Sequence, residues 1–389
     1  MERMNISQSK LPFIMGRIFR YILLQRDVSK NNISQALNLS VPTILTITRI
    51  LQQKGLIIEE GEFESTGGRK AKKISSIESA RYAIGIAITK NHVSFVLTNL
   101  GGHVLSHQRI HLVFEKNDSY YLTLWEKAQS FLLATNIPTG AFLGYGISLP
   151  GIINKKTGML DYSHALNMYR TPYEVFTKYF QSPCFLLNDA DASLCAELHH
   201  VTNKKTTAYL QLSNTVGGSL YIKNSSISGK IIDSIPPGDN FRSYEFGHMT
   251  LYPYGITCYC GKAGCVDAYC NAKYLSDYTQ GKLDSFFYLV EKGNTELTEV
   301  WDTYLNNLAI VLNNLHMGLD CNIIVGGYIG AFIEPYIATL QNRAKLLSTF
   351  KTNGSYIKPC TYKTESSAFG AALSQIEHFI YSIDTGILQ

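Results

Sequence analysis

Residues 245–267 read EFGHMTLYPYGITCYCGKAGCVD, and within them Cys258, Cys260 and Cys265 crowd into one short loop. Scattered cysteines are usually small buried hydrophobes, but three within eight residues point to a metal, because thiolates are preferred ligands of borderline-soft cations. The chain holds eight cysteines in all. Its first residues, MERMNISQSKLPF, lack the apolar stretch of a signal peptide, so a cytoplasmic protein without a disulfide framework is expected. Cys270, just beyond the cluster, reads as a packing residue.

Outward from this loop, short β-rich runs alternate with helices. YAIGIAI at 82–88 and HVSFVLTNLGGHVL at 92–105 read as two hairpin-linked strands followed by a third. A helix is expected around 119–134, and GYGISLPGIIN at 144–154 is a strand ending in Pro150-Gly151. CFLLNDADASLCAELHH at 184–200 runs from strand into helix, and AYLQLSNTVGGSLYI at 208–222 repeats the strand-turn-strand pattern of 82–97. The recurrence predicts two similar α/β lobes, as in the actin-like ATPase fold, over residues 81–200 and 201–389. A single mixed α/β domain is the alternative. A helix around 296–316, the strand NIIVGG at 322–327 and a terminal helix near 366–381 fit the second lobe and a return to the first. With 45% hydrophobic and 17% charged residues the chain is globular, and at 389 residues it is long enough for two or three domains. No apolar run reaches the roughly 18 residues that a membrane span needs.

The first eighty residues form a separate unit. Ile14, Ile18 and Ile22 recur at helical spacing. A second helix starts from the cap Ser29 and carries Ile33, Ala36 and Leu37 inward, and Asn38 makes a turn. Ser40 caps a third helix that tolerates Pro42 in its first turn and stops at Gly55. On this third helix Ile44, Ile47 and Leu51 share the core face, while Pro42, Thr46 and Arg49 lie opposite, with Thr43 at the border. A recognition helix needs this division: apolar toward its own domain, short polar groups and an arginine toward base edges. Two strands, LIIEE at 56–60 and KKI at 72–74, flank Ser65-Thr66-Gly67-Gly68-Arg69-Lys70, a wing with a basic tip. Charge agrees: residues 1–80 hold 12 Lys/Arg against 7 Asp/Glu, and the remainder balances at 23 of each. All the excess positive charge therefore sits in the first fifth of the chain, as in a polyanion-binding module attached to a neutral one. A helical bundle with a hairpin used for protein contacts is the alternative.

These motifs together resemble the ROK family (repressors, open reading frames and kinases), in its xylose and N-acetylglucosamine repressor branch. GLIIEEGEFESTGGRK at 55–70 is close to the family's wing, and PG at 150–151, NDA at 188–190, EFGH at 245–248 and CYCGKAGC at 258–265 follow in family order. The resemblance covers nearly the whole chain. It implies one structural zinc ion held by His248, Cys258, Cys260 and Cys265, a Cys₃His set with no open position.

It also implies a sugar pocket. The general base of the family's kinases corresponds to Asp189, and Asn188, Glu245, His248 and Asp267 hold the other hydroxyls. Two residues depart from the pattern: Asp267 stands where a Glu is usual, and Asp191 where an Asn is usual. The kinase phosphate loops are depleted. Gly85-Ile86-Ala87-Ile88-Thr89-Lys90 has Ala87 in place of the acidic residue that manages magnesium, and the paired glycines are gone. Ser213-Asn214-Thr215-Val216-Gly217-Gly218-Ser219 keeps only two glycines of the second loop. Loops that bind phosphate through backbone N–H groups rely on glycine for close approach, so phosphoryl transfer is not expected. What remains is a winged helix-turn-helix joined to a kinase-like fold that senses a sugar. It would act on operator DNA as a homodimer, with a tetramer as the larger alternative. An active sugar kinase with an appended DNA module, or a repressor whose effector is a protein, are the competing readings.

Overall fold

The chain opens with three helices, α1 (Leu11–Gln25), α2 (Lys30–Leu37) and α3 (Val41–Gln53), the last two started by serine caps. The computed structural model describes residues 11–64, 70–223 and 234–385. Ser29 Oγ accepts the Asn32 N–H at 3.1 Å, and Asn32 Oδ1 accepts the Ser29 N–H at 2.9 Å, a reciprocal cap that satisfies two otherwise orphaned donors. Asn38 turns the chain at φ 53°, and Ser40 Oγ accepts from the Thr43 N–H to start α3. Strands β1 (Ile57–Glu62) and β2 (Lys72–Ser76) pair antiparallel, and Val28 bridges to Ile74. Ile14, Ile18, Ile22, Ile33, Ile44, Ile47 and Leu51 are buried, as their spacing requires. Ala36 is not: it is exposed, and Leu37 is only half-buried, because α2 is too short to bury more than one turn around Ile33. Of the expected wing tip, Lys70 is described, whereas Gly67, Gly68 and Arg69 lie outside the described residues.

The first lobe contains β3 (Tyr82–Ile88), β4 (His92–Asn99), β5 (Val104–His111), α4 (Asp118–Ala134) and β6 (Phe142–Leu149). A small antiparallel sheet follows, β7 (Ile152–Asn154), β8 (Met159–Ser163) and β9 (Met168–Pro172), then α5 (Glu174–Thr177), β10 (Cys184–Asn188) and α6 (Asp189–Leu198). The main sheet has the order β10-β6-β3-β4-β5, with β3, β4 and β5 antiparallel and β6 and β10 parallel to β3.

The second lobe has β11 (Thr207–Leu212), β12 (Val216–Tyr221), α7 (Asp267–Cys270), α8 (Ala272–Ser276), α9 (Leu283–Glu291) and α10 (Thr295–Leu319). It continues through β13 (Asn322–Gly326), α11 (Gly327–Gly330), α12 (Ile337–Leu347), β14 (Ile357–Pro359) and α13 (Ser366–Thr385). Its sheet runs β12-β11-β13-β14. The two lobes therefore share the hairpin-plus-parallel-strand pattern, and the actin-like α/β architecture expected from the recurrence is present.

Helix α13 leaves the second lobe and packs on β3, β6 and α6 of the first. The approach is backbone to backbone. A Cβ at Gly146 would stand 1.8 Å from the Ala371 carbonyl oxygen, and one at Gly370 would stand 1.7 Å from that of Ala192. The far half of α13 (Ile376, Phe379, Ile380, Ile383) joins Ile18, Phe19 and Ile22 of α1 in one continuous core. Arg20 Nη1 meets Glu377 Oε2 at 2.7 Å beside it. Helix α1 thus buries Met15 and Phe19 as well as the Ile14-Ile18-Ile22 face, a stripe wide enough for two partners. Among the described residues no helix is long and apolar enough to cross a membrane.

Candidate ligand cleft, metal cluster and nucleic-acid face

His248 ends a short 3₁₀ turn, and the loop beyond it folds back through bridges between Thr250 and Cys265 and between Thr257 and Ala263. Gly261 and Gly264, at φ 87° and 77°, make the reversals that bring the cysteines round. The ligand atoms of His248, Cys258, Cys260 and Cys265 all lie within 4.8 Å of one another. Cys260 Sγ is 3.7 Å from Cys265 Sγ, and Cys258 Sγ is 3.9 Å from His248 Nδ1. A tetrahedral ion with metal–sulfur bonds of about 2.3 Å needs sulfur–sulfur edges of about 3.8 Å, so the donor set fits a closed four-coordinate metal. Cys270 is fully buried in the second lobe's core, as a packing residue should be.

Beside this cluster lies a cleft of about 730 Å³, lined among others by Asn188, Asp189, Glu245, His248, Gln211 and Tyr259. Four of the five residues expected to meet a ligand are therefore together. Asn188 is the N-cap of α6: its Oδ1 accepts the N–H groups of Ala190 and Asp191 at 2.8 and 3.0 Å, and its Nδ2 donates to the Gly151 carbonyl at 3.0 Å. Asp189 occupies the first turn of α6, with Oδ1 accepting the Ala190 N–H at 3.0 Å and Oδ2 accepting from Gln211 Nε2. Burial outweighs these hydrogen bonds and pushes its carboxyl from 3.8 up to about 6. Glu245 is solvent-accessible at the cleft wall, yet burial of its carboxyl and the nearby Asp189 raise its pKa as well.

Asp267 departs from expectation. Only 1% exposed, it lines the adjoining cavity of about 780 Å³ rather than the cleft shared by the other four. Its Oδ2 accepts the Val216 N–H at 2.5 Å and its Oδ1 accepts from Asn271 Nδ2 at 3.2 Å. Each oxygen therefore has one partner within the protein.

That adjoining cavity is where the depleted loops lie, with Ala87, Ser213, Thr215 and Gly327 on its walls. The two glycines kept in the second loop differ. A Cβ at Gly217 would meet nothing closer than 3.9 Å, whereas at Gly218 it would strike the Phe246 ring at 2.2 Å. Gly218 is thus required by packing. Gly326 and Gly327 are similarly explained: the first lies under the Tyr209 hydroxyl, and the second, at φ 75°, makes the turn into α11 against Leu212. Asp191 lies away from both cavities' shared floor, accepting from Ser219 Oγ at 2.7 Å.

On α3, Pro42, Thr46 and Arg49 are exposed and Thr43 is half-buried at the edge of that face. Thr46 Oγ1 returns to the Pro42 carbonyl at 3.1 Å, and Thr43 Oγ1 lies 2.8 Å from Ser40 Oγ. The same surface carries Val41 and Leu45, 42% and 47% exposed, which the helical spacing alone did not single out. Lys70 is exposed, with Nζ 4.0 Å from Glu62 Oε2. Sequence reasoning also missed Gln211, His164 and Tyr259. No motif marks the first two, but Tyr259 stands between two metal-ligand candidates, a placement that signals a fixed side chain.

A sequence profile of the ROK family matches residues 83–377. The chain is similar to the xylose repressor of Bacillus spizizenii, 27% identical over 379 residues that span 93% of this chain and 94% of the repressor. It shares its fold with a solved ROK family transcriptional regulator, a homologue of the E. coli MLC protein (TM-score 0.76, 17% identity, 97% of this chain and 99% of that one). It also shares it with the ROK hexokinase of Thermus thermophilus (TM-score 0.58, 20% identity, 77% and 99%). The profile runs over well more than half of the sequence, and the metal loop and cleft residues fall within it: this chain belongs to the ROK family.

Proposed function

We propose that this chain is a sugar-responsive DNA-binding repressor that does not transfer phosphate. The observation that carries this reading is the Val216 N–H, which sits in the loop that would cradle phosphate and is instead held by the Asp267 carboxylate. An anion already occupies the donor, and a second anion would be repelled there. Ala87, also at this cavity, offers no carboxylate for magnesium. By contrast the sugar side keeps its acceptors. Asn188, Asp189, Glu245 and His248 would hold hydroxyls, and a buried carboxylate left unpaired penalises any ligand that lacks them. Asp267, whose Oδ2 holds the Val216 N–H, lines the adjoining cavity and would meet a ligand from that side. The name of the Bacillus spizizenii relative, a xylose repressor, supports the same assignment.

In this reading His248, Cys258, Cys260 and Cys265 hold a structural Zn²⁺, which fixes the loop against the cleft and takes no part in chemistry. Helix α3 enters the major groove with Pro42, Thr46 and Arg49 toward base edges and Thr43 at the groove's rim. Arg69 and Lys70 of the wing meet the sugar-phosphate backbone. Two copies act as a homodimer on two half-sites. The sugar works through its differential affinity for two lobe arrangements, and only to that extent.

Separation of function tests this. Glu245→Ala should remove the response to sugar while leaving affinity for DNA within about twofold of wild type, since interface and cleft are distinct elements. Equal loss of both in a folded, zinc-containing variant contradicts the proposal. One observation favours a competing reading as an active kinase: a carboxyl with a pKa near 6 at Asp189 suits a general base. Sugar-dependent ADP release at roughly 1–100 per second would establish that reading instead.

A further inference from the structure

Tyr259 lies between the metal-ligand candidates Cys258 and Cys260, on the second lobe. Its ring stacks on that of His164, centroids 3.7 Å apart and planes 12° from parallel. His164 belongs to the first lobe, in the loop between β8 and β9. The hydroxyl of Tyr259 stands 3.2 Å from His248 Nε2. The two nitrogens of His248 are thus divided: Nδ1 faces Cys258 Sγ in the metal cluster, and Nε2 faces the tyrosine. An imidazole that gives Nδ1 to a metal keeps its proton on Nε2, so Nε2–H donates and the Tyr259 oxygen accepts.

This has two consequences. The one atom of His248 left for a ligand hydroxyl already has a hydroxyl on it, supplied by the protein. And the side chain that supplies it also ties the lobes together, since both rings line both the ligand cleft and the adjoining cavity. Tyr259 is 41% exposed and belongs to none of the hydrophobic cores, so its place is set by the His164 stack, the hydrogen bond to His248 and the edge-on contact between the Tyr259 and His248 rings, centroids 5.3 Å apart.

Resting on the sugar-responsive reading above, we propose that Tyr259 is an internal occupant of the ligand site, whose hydroxyl stands in for a ligand hydroxyl on His248 and whose ring latches the lobes through His164. A polyhydroxylated ligand that brings its own oxygen to His248 Nε2 evicts the tyrosine. Eviction opens the stack, and occupancy of the cleft exchanges an aromatic contact between the lobes for one made through the ligand. The latch lies outside the DNA-binding unit, and its state is set by the same nitrogen that reads the ligand.

The test uses the full-length, zinc-loaded chain and two variants, with zinc content measured in each. Tyr259→Phe keeps the stack and removes the competing hydroxyl. His164→Ala keeps the hydroxyl and removes the stack. Titration calorimetry with D-xylose, D-glucose and N-acetyl-D-glucosamine should show that whichever sugar binds wild type binds Tyr259→Phe about three- to tenfold more tightly, the worth of one neutral hydrogen bond. Unchanged or weaker binding by Tyr259→Phe overturns the proposal. A second arm needs no sugar. Amide exchange of ligand-free His164→Ala should rise, relative to wild type, both at 163–168 in the first lobe and at 258–263 in the second. Unchanged exchange at either segment overturns the latch. If no sugar of the panel binds wild type, the sugar-responsive reading fails, while the exchange arm still decides whether the latch exists.

Discussion

Asp189 is a carboxyl that folding pushes from 3.8 to about 6, with burial as the main cause. Because the native state then binds a proton that the unfolded chain has released, stability falls as pH rises from about 4 to about 6, and the full cost remains above that window. Asp189→Asn removes the charge. Relative to wild type, the variant should gain at most about 3 kcal/mol of stability as pH rises from about 4 to about 6, on top of a pH-independent loss from the hydrogen bond that its amide nitrogen cannot accept from Gln211. Thermal melts across this range check the claim, and a stability difference between variant and wild type that does not change with pH would contradict it. The metal cluster gives a second prediction at this scale. Purified protein should carry about one zinc per chain, and Cys258→Ser or Cys260→Ser should lose it; metal analysis finding none in chelator-free wild type refutes the ligand set. The cluster was legible because three of its ligands are near neighbours in sequence. Gln211 was not, since it reaches Asp189 from β11, 22 residues further on, through a contact that only the sheet geometry creates. The bond from the Val216 N–H to Asp267 was equally illegible, because which backbone group a carboxylate meets depends on how the two segments, 51 residues apart, are folded together.

At the scale of elements, the helices and strands follow their caps and periodicity closely. Ser29, Asn38, Ser40 and Gly55 each do what their types predict, and α3 presents the face that the spacing assigned to DNA. The exposed Val41 and Leu45 add apolar groups to that face, the kind that meets thymine methyls. Arg49 and Lys70 should differ in what they do. Arg49→Ala should cost about 1–3 kcal/mol on a preferred operator and relax preference at one symmetric position of each half-site. Lys70→Ala should weaken binding to all sequences alike and lower the salt slope by about one per site occupied. Operator titrations at several salt concentrations with single-base variants distinguish them. A neutral Arg49→Ala alongside a wing variant that alters base preference would reverse the two roles. What the periodicity could not reveal is the second partner of α1. Met15 and Phe19 widen the buried stripe of α1 beyond Ile14, Ile18 and Ile22, and only the arrival of α13, more than 350 residues later, explains it.

For the whole molecule, that helix pair matters most. The N-terminal three-helix unit shares a core with α13, and α13 is seated on the first lobe through glycine contacts that leave no room to slide. The N-terminal unit is therefore fixed to the first lobe, while the cysteine loop, Glu245 and His248 belong to the second. Under the proposed function, a ligand held by Asp189 on one side and by Glu245 and His248 on the other would bridge the joint between them. In a dimer built through either lobe, a change at that joint alters the spacing of the two recognition helices, which half-site geometry does not tolerate. The most direct test is a fluorescence titration of the full-length, zinc-loaded chain against a two-half-site operator selected from random DNA. It is repeated with D-xylose, D-glucose and N-acetyl-D-glucosamine, and without ATP. The chain should select one palindromic sequence over random DNA by about a thousandfold or more, and at least one sugar should change that affinity by tenfold or more. Failure to prefer any DNA sequence, or an operator affinity indifferent to every sugar that calorimetry shows to bind, would contradict the account.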